Sequence, residues 1–369
     1  MMLYDKHSLS ALEWAQTKEE QQTRAYCEPL LREGVSLYFK NVYTDFFLLQ
    51  LDHQMIPLTV NQKEYESSYL TSNYFLIKFL EEQIFRNFPS WNLLQLPFLK
   101  IGGGILKLLK INKVVNINNW LFTTNIYSAL SDEQLDRMTT FLEKQFPDHL
   151  IMFRNLDLCT SSAKIEGLKK RGYRLIRSRH VMVYDPSQKS TFSPKVRYHH
   201  RRDRKLIEKE GYLIFREQEL TKKDFPHLLA LHRKVYHHYT KYSPDYTETF
   251  LEKGIQEQWL HVIGLKKQGE IHGVIGYFLR EGVMTIPFFG YDSHQGQSNH
   301  LYRMLTALIL EEAEKQKVLL NDGSGGEAHK SYRGLKAYPE YIAIYDQHLG
   351  SFRRMFWRIA QLIIRQVNF

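Results

Sequence analysis

Several side chains in the second half of the sequence could move a proton or hold an anion. Asp292 follows an apolar run and supplies a carboxylate that could take a proton from an amine or a hydroxyl group. Lys330 and Arg333 are three residues apart, so on a helix they would share one face and could hold a carboxylate or a phosphate. Asp292 could instead cap a helix, and the two cations could lie on a solvated helix edge.

The residues after Asp292 are polar and contain one glycine: Ser293-His294-Gln295-Gly296-Gln297-Ser298-Asn299-His300. A long helix is predicted to follow. The first N–H groups of a helix lack partners, and its positive end favours an anion by up to about 1 kcal/mol. The segment could therefore bind a phosphate group, or it could be an ordinary turn capped by Ser298 or Asn299.

Other polar residues follow predicted elements in the same half. Asn321, Asp322 and Ser324 end a short predicted strand, and His237-His238 with Lys241-Tyr242 come just after a predicted helix. Both groups could line a substrate site. Paired histidines at a helix end are more often surface or capping residues, and no third ligand at a useful spacing suggests a metal.

The composition is that of a folded protein with a strong positive charge. Of 369 residues, 43% are hydrophobic and 24% are charged, and the formal net charge is +10, which draws nucleic acid, anionic lipid or a phosphate-bearing cofactor. The two cysteines, Cys27 and Cys159, form no CxxC motif, so neither a disulfide framework nor a thiolate zinc site is indicated. No signal peptide and no membrane span is recognisable, which predicts a cytoplasmic protein.

The elements that would position these side chains follow a mixed α/β order. The predicted order is a strand, two helices, a three-stranded meander, a long helix, a strand, a short helix and a last strand. The residue ranges are 211–215, 221–239, 244–256, 260–265, 271–279, 284–289, 299–316, 318–321, 327–332 and 341–345.

The first half of the sequence follows a similar plan. A hairpin, a helix and further strands with an intervening helix are predicted at 46–51, 55–60, 74–84, 114–117, 121–126, 131–146, 150–153, 172–176 and 180–184. Ser131 is the predicted N-cap of the second of these helices. A proline-bounded linker follows at 186–194. We therefore predict a lobe at 1–190, a second lobe at 191–350 and a C-terminal helix at 351–369.

This order of elements resembles the GNAT acyltransferase superfamily, and two such units in tandem resemble its Fem and BioF2-like group. The resemblance is carried by four segments of the second lobe: Gly290-Tyr291-Asp292, Leu301-Tyr302-Arg303-Met304-Leu305, Asn321-Asp322-Gly323-Ser324 and Lys330-Ser331-Tyr332-Arg333-Gly334. It implies two tandem GNAT-like lobes, each with a mostly antiparallel mixed sheet flanked by helices. It also implies that the C-terminal lobe is catalytic and the N-terminal lobe is not.

The resemblance further implies transfer of an acyl group from acyl-CoA, or another acyl thioester, directly to an amine or hydroxyl acceptor. Asp292 and Lys330 would be catalytic. The donor would contact Gln295, Gly296, Gln297, Ser298, Asn299 and Arg303, and the substrate would contact His238, Tyr242, Tyr291, Asn321, Asp322, Ser324 and Arg333. The usual Q/R-x-x-G-x-G/A spacing is not met, since Ser293 precedes Gly296 by three positions and Ser298 follows it by two.

Two other functions stay open. Fem-type relatives transfer an amino acid from aminoacyl-tRNA, and the net charge of +10 would suit RNA. The departure from the usual spacing would also permit a lobe pair that has lost catalysis and serves as a binding protein.

Three segments could meet anions or membranes. Residues 197–205 are a dense basic run, which is more often a solvated helix face. Residues 101–111 mix apolar residues, lysines and three glycines, and could be either a core helix or a lipid-contacting one. On a helix over 351–369, Phe352, Met355, Phe356, Ile359, Leu362, Ile363 and Val367 would form one apolar arc opposite Arg354, Arg358, Gln361 and Arg365. Such a helix could lie on an anionic membrane at its inner face, with a small or lipid-like acceptor nearby, or could pack on the lobe.

Overall fold

The computed structural model describes residues 1–87, 92–236, 240–292 and 298–366. The strands are Met2–Tyr4 (β1), Asp45–Leu51 (β2), Gln54–Asn61 (β3), Val114–Ile117 (β4), Leu150–Asp157 (β5), Arg174–Tyr184 (β6), Leu213–Arg216 (β7), His261–Lys267 (β8), Glu270–Arg280 (β9), Val283–Tyr291 (β10), Leu319–Asn321 (β11) and Lys336–Tyr345 (β12). The α-helices are Lys18–Glu33 (α1), Phe75–Asn87 (α2), Asn92–Leu108 (α3), Asp132–Gln145 (α4), Ser162–Lys170 (α5), Pro194–Lys209 (α6), Phe225–Tyr236 (α7), Glu248–Gln256 (α8), Ser298–Gln316 (α9), Glu327–Ser331 (α10) and Ser351–Gln366 (α11).

Local chemistry accounts for where several helices begin. The predicted N-cap Ser131 is confirmed, and with Gln134 it forms a reciprocal capping box at the start of α4. Ser193 caps α6, whose first residue is Pro194, a residue that fits a position where no N–H is needed. Thr247 caps α8 in the same way.

The strands of the described residues form one twelve-stranded sheet in the order β1-β2-β3-β4-β5-β12-β6-β11-β10-β9-β8-β7. The pairs β4–β5 and β10–β11 are parallel, and the other neighbouring pairs are antiparallel. The predicted mixed α/β fold with a mostly antiparallel sheet flanked by helices is therefore confirmed.

The order in which the strands pair is the same from each edge of the sheet towards its centre. From one edge, β1 to β5 pair in chain order and end in a parallel pair; from the other edge, β7 to β11 do the same. We call β1–β5 the N half-sheet and β7–β11 the C half-sheet. The two central strands are exchanged between them: β6 follows the N half-sheet in sequence but pairs with β11, and β12 follows the C half-sheet but pairs with β5. Residues 190 and 350 remain predicted lobe boundaries.

Two predicted strand assignments are wrong. Residues 121–126 form no strand, because Asn118 and Leu121 take left-handed backbone angles that break extended pairing. The two strands predicted at 172–176 and 180–184 are a single strand, β6, which pairs with β12 along most of its length. The glycines at 102–104 do not break α3, and Gly103 lies against the Tyr74 side chain, where a Cβ would be only 2.3 Å from the tyrosine oxygen.

The hydrophobic core of the described residues has three large clusters, one under each half-sheet and a third that joins them, and two smaller clusters that contact α11. The joining cluster brings Trp120 and Phe122 of the N-terminal half against Trp259 and Phe278 of the C-terminal half. Burial of such large side chains stabilises the contact between halves by roughly 1.5–3 kcal/mol per residue. None of the helices in the described ranges is both long and apolar enough to cross a bilayer.

Candidate functional site

The candidate site is a gap between the neighbouring strands β10 and β11. The two strands pair only from Val283–Leu319 to Thr285–Asn321. There β11 ends, while β10 continues to Tyr291 after an irregularity between Thr285 and Phe288. Pro287 lies in that irregularity and cannot donate a ladder hydrogen bond, which favours a local break in pairing. Beyond Thr285, β10 therefore has no strand partner on the β11 side among the described residues, and α9 lies beside it there.

Asp292 lies directly after β10, at the mouth of this gap. Its N–H donates to the His272 carbonyl at 2.9 Å, which fixes the backbone at the end of the strand. Its Oδ1 lies 3.2 Å from the Lys234 ammonium, and 21% of its side chain is exposed. The nearby ammonium stabilises an ionised carboxylate, which is the form that can accept a proton.

Lys330 lies on α10 and holds the turn after β11. Its ammonium donates to the Asp322 carbonyl at 2.6 Å and lies 3.3 Å from Asp322 Oδ2. The turn needs this support because Gly323, Gly325 and Gly326 take left-handed angles that glycine adopts freely. Since Lys330 is only 5% exposed, the structure gives it a positioning role, and its catalytic role stays a prediction.

Asp322 and Asn321 lie at the start of the same turn. Burial raises the pKa of Asp322, and Lys330 opposes that rise. Asn321 accepts the Gly323 N–H at 3.0 Å and donates to Asp157 Oδ2 at 3.4 Å, so it connects the ends of β11 and β5. Ser324 is exposed, and its hydroxyl accepts from Arg179 at 3.3 Å.

Arg303 and Arg333, predicted to contact the donor and the substrate, both bind Asp203. Arg303 donates twice to Asp203 Oδ1, at 2.8 and 2.6 Å, and Arg333 donates twice to Asp203 Oδ2. Arg333 is 3% exposed and Asp203 is 1% exposed. The three residues therefore form an internal ion network that fastens α9 and the segment after α10 to α6, rather than a free cationic face.

Asp203 was not among the predicted site residues, although its position in the sequence is informative. It is the only acidic residue in the basic run at 197–205, and it precedes the apolar Leu206 and Ile207 by three and four positions. That spacing puts all three on the buried face of α6. A lone carboxylate on a buried face needs cationic partners, and two of them were already among the predicted site residues.

An aromatic wall connects the end of β10 with α10. The ring of Tyr302 on α9 lies 6.1 Å from that of Tyr291, 5.9 Å from that of Phe289 and 4.5 Å from that of His329. Burial, aided by Arg333, lowers the pKa of His329 to about 4, so its imidazole is neutral near pH 7. Its buried Nε2 has no hydrogen-bond partner among the described residues. Nothing in the sequence distinguished His329, a single histidine in a short predicted helix.

The remaining predicted residues fall elsewhere or outside the described ranges. Tyr242 is buried, and its hydroxyl donates to Glu66 at 3.0 Å, at the junction with the N-terminal half. His238, Gln295, Gly296 and Gln297 lie outside the described residues. Ser298 and Asn299 begin the backbone of α9. In the ranges given above, no three or more His, Cys, Asp or Glu side chains are grouped to hold a metal ion.

Residues 194–331 match the sequence profile of a family described as Acetyltransferase (GNAT) domain. A comparison with curated protein sequences finds no significant match. Among solved structures, FemX is similar at a TM-score of 0.52 and 8% identity, covering 98% of this chain and 100% of that one.

Two further structures have lower TM-scores. L-PGS from Bacillus licheniformis has a TM-score of 0.47 at 17% identity, covering 64% of this chain and 79% of that one. A tandem GNAT protein from the clavulanic acid biosynthesis pathway has a TM-score of 0.38 at 7% identity, covering 91% of each chain.

Proposed function

We propose that this chain is an acyltransferase with its reaction centre between β10 and β11, because residues 194–331 match the GNAT domain family and the fold is similar to that of FemX. The observation that carries the proposal is the divergence of these two strands inside the matched segment, with the Asp292 carboxylate at its mouth. A gap between two central strands admits an extended donor without breaking the rest of the sheet.

In the proposed reaction, an amine or hydroxyl of the acceptor attacks the carbonyl carbon of a donor thioester. Asp292 takes the proton that the acceptor loses as the new C–N or C–O bond forms. The C–S bond breaks, and the departing thiolate takes up a proton from water. Lys330 fixes the 322–326 turn on the opposite side of the gap, and the neutral His329 offers a hydrogen-bond acceptor beside Tyr302.

Acyl-CoA is the donor we propose first. The long helix α9 begins at Ser298, directly beyond the segment 293–297, and its first turn contains no acidic residue. Its unpaired N–H groups would favour a pyrophosphate at that end. Arg303, bound to Asp203, would hold α9 in place for this contact rather than bind the donor itself.

Asp292→Asn tests the assignment of the base. The amide cannot accept a proton, so turnover should fall by about 10²-fold or more while the fold is kept. The assay is thiol release from acetyl-CoA and from a long-chain acyl-CoA, with and without amine acceptors. Asp148→Asn is the matched control, because Asp148 is a surface carboxylate 2.9 Å from Lys113 and far along the chain from the gap. Equal rates for Asp292→Asn and the wild type would remove the assignment.

Aminoacyl-tRNA is the alternative donor, as in Fem-type relatives. The observation that favours it is the basic face of α6, where Lys195, Arg197, Arg201, Arg202 and Lys205 are exposed. A cavity of about 500 Å³ lies between α6 and α9, with Phe192 and Leu310 in its apolar part. Cations in such a row suit a phosphate backbone.

Salt dependence separates the two donors. Binding of tRNA should weaken steeply between 50 and 200 mM salt and should be lost in an Arg201→Glu, Lys205→Glu variant. Binding of acyl-CoA at the gap should change little in both tests. If the wild type binds one donor yet releases no product from either, the chain is a binding protein without catalysis.

We also propose a small or lipid-like acceptor. Phe289, Tyr291 and Tyr302 supply an apolar wall beside the proposed centre. A lipid-like acceptor would place the protein at a membrane surface, on its inner face, and α11 has exposed apolar side chains suited to that place. Comparing short-chain with long-chain amine acceptors in the thiol-release assay tests the preference.

A further inference from the structure

Two helices of the N-terminal half, α2 and α3, and the C-terminal helix α11 meet at one small hydrophobic cluster. Tyr74 directly precedes α2, Ile77 lies in its first turn, and Ile111 follows α3. Phe356 and Trp357 of α11 pack against these three residues. The helices α2, α3 and α11 are therefore neighbours, and we call their outer side the three-helix surface.

The helix α11 is attached through one face. Arg353 donates to the Asp148 carbonyl at 2.6 Å and to the Lys113 carbonyl at 3.2 Å, and Gln361 donates to the Leu175 carbonyl at 2.9 Å. Trp357 and Ile364 pack against the core on the same side. Most of the bulky apolar residues of α11 therefore take no part in attaching the helix to the rest of the protein.

Those other apolar residues of α11 face solvent. Phe352 is 77% exposed and Ile363 is 59% exposed, and the stripe continues through Met355, Ile359 and Leu362. Of the described residues of the predicted apolar arc, only Phe356 turns inward. A helix that used its apolar arc to pack on the lobe would have buried this stripe.

The other two helices expose apolar residues in the same manner. Leu108 is 83% exposed, and Ile101 and Ile105 lie on the same outer side of α3. Leu76 and Leu80 are exposed on α2, one turn apart. Exposed apolar side chains gathered on neighbouring helices mark a surface that is covered by something else.

The charged residues of α3 and α11 are all positive, whereas α2 carries both signs, with Glu81 and Glu82 beside Lys78. Neither α3 nor α11 contains an aspartate or a glutamate. Lys100 and Lys107 are exposed beside the α3 stripe, and Arg354 and Arg358 are exposed beside the α11 stripe. A second copy of the chain would bring these like charges together, whereas an anionic bilayer complements both the charge and the apolar side chains.

We propose that the three-helix surface docks on an anionic lipid bilayer, with the exposed side chains of α3 and α11 inserted at the boundary between headgroups and acyl chains. The helices would lie in the plane of the membrane, since none is long and apolar enough to cross it among the residues described. The inference is independent of the proposed activity, because it uses no residue of the gap between β10 and β11.

Vesicle co-sedimentation of the full-length protein tests the proposal. Vesicles that contain phosphatidylglycerol and phosphatidylcholine should bind the protein. Vesicles of phosphatidylcholine alone should bind it at least about tenfold more weakly, because they lack the negative charge that several cationic side chains would contact. Salt at about 0.5 M should weaken binding to the anionic vesicles, because it screens these contacts. A Leu108→Ser, Phe352→Ser, Ile363→Ser variant should lose at least about tenfold in partition, since each exchange removes an apolar group from the lipid.

The matched control is the double variant Leu37→Ser, Leu213→Ser. It removes two exposed apolar residues that lie outside the three-helix surface, and it should bind as the wild type does. Failure of the wild type to bind anionic vesicles would overturn the proposal, as would equal losses in the two variants. A dimer that sediments in the wild type and disappears in the Leu108, Phe352 and Ile363 variant would identify a second copy as the occupant instead. This experiment measures only vesicle binding, whereas the proposed activity is tested by thiol release. Failure of one proposal can therefore be distinguished from failure of the other.

Discussion

The two half-sheets have the same strand pairing, but the segments that follow the parallel strand pair differ between them. In the C half-sheet, β10 outruns β11, and Asp292 lies at an open gap. In the N half-sheet, β4 pairs with β5 along its full length to Ile117, and the chain then enters a buried segment in which Trp120 is 1% exposed and Phe122 is 2% exposed.

The buried segment of the N-terminal half ties the two halves together. The Tyr26 hydroxyl donates to the Trp120 carbonyl, and Arg280 of β9 lies 4.4 Å from the centre of the Trp120 ring. Phe122 packs on Phe278 with ring centres 5.2 Å apart. One topology therefore supplies a candidate reaction site at one position and a structural joint at the other, and only the side chains decide which.

The largest effect expected concerns the ion network of the C-terminal half. Asp203→Ala should lower the free energy of unfolding by about 3–5 kcal/mol, because it leaves the buried Arg333 and the half-buried Arg303 without a counter-charge. Urea denaturation measures this loss. Hydrogen exchange should rise in α9 and α10 and stay unchanged in α4, which packs under the N half-sheet.

Asp148→Ala is the control, since Asp148 forms an exposed ion pair whose loss should cost under about 1 kcal/mol. A loss of the same small size for Asp203→Ala would mean that this ion network contributes little to the stability of the C-terminal half.

How much of this comparison could be predicted depends on whether the signal is local. The hairpin at 46–60 and the meander at 260–289 were predicted because alternation and short turns are written in neighbouring residues, and they appear as β2–β3 and β8–β10. The exchange of β6 and β12 could not be predicted, because a strand's sequence favours extended structure but does not name a partner some 160 residues away.

The site was predicted to the same limited depth. Asp292 and the 321–324 turn were found because each directly ends a strand, which places them at one edge of the sheet. The partners of Arg303 and Arg333 were not found, because an ion network depends on how α6 crosses α9. Residues 121–126 were assigned to a strand from their apolar character, although Asn118 and Leu121 have angles that only the packed structure reveals.

A smaller effect should distinguish two lysines that occupy similar places. Lys164 lies on α5 after β5, and Lys330 lies on α10 after β11. Lys330→Met should cost about 1–3 kcal/mol and lower kcat/KM about tenfold, because Asp322 and the turn carbonyls lose their donor. Denaturation and thiol release measure the two effects.

Lys164→Met should have the opposite sign. Burial lowers the pKa of Lys164 to about 8, and its ammonium lies 5.3 Å from the Tyr127 ring centre with no carboxylate oxygen within 4 Å among the described residues. A folded pKa below the unfolded value means that stability is lost as the pH falls towards 8, so removing the charge should leave stability unchanged or raise it by about 1 kcal/mol at pH 7. Equal losses for both lysines would show that the two turns are built alike.

The smallest effect expected is the acid sensitivity of one histidine in each half. Burial, aided by Lys113, lowers the pKa of His149 to about 4, and His329 has the same value from burial aided by Arg333. The unfolded chain binds a proton near pH 6.5 while the native chain does not until about pH 4, so stability is lost as the pH falls through that window. Between pH 7.5 and 5.5 each histidine should cost about 1 kcal/mol of stability.

His149→Gln should remove this cost while its amide still contacts Gln62, whose nitrogen lies 2.8 Å from His149 Nε2. His329→Gln should remove a similar cost and also lower kcat/KM. Denaturation of both single variants and the double variant at the two pH values checks this, because well-separated sites should add to about 2 kcal/mol. An unchanged acid loss in His149→Gln would show that the N-terminal half does not hold its histidine neutral.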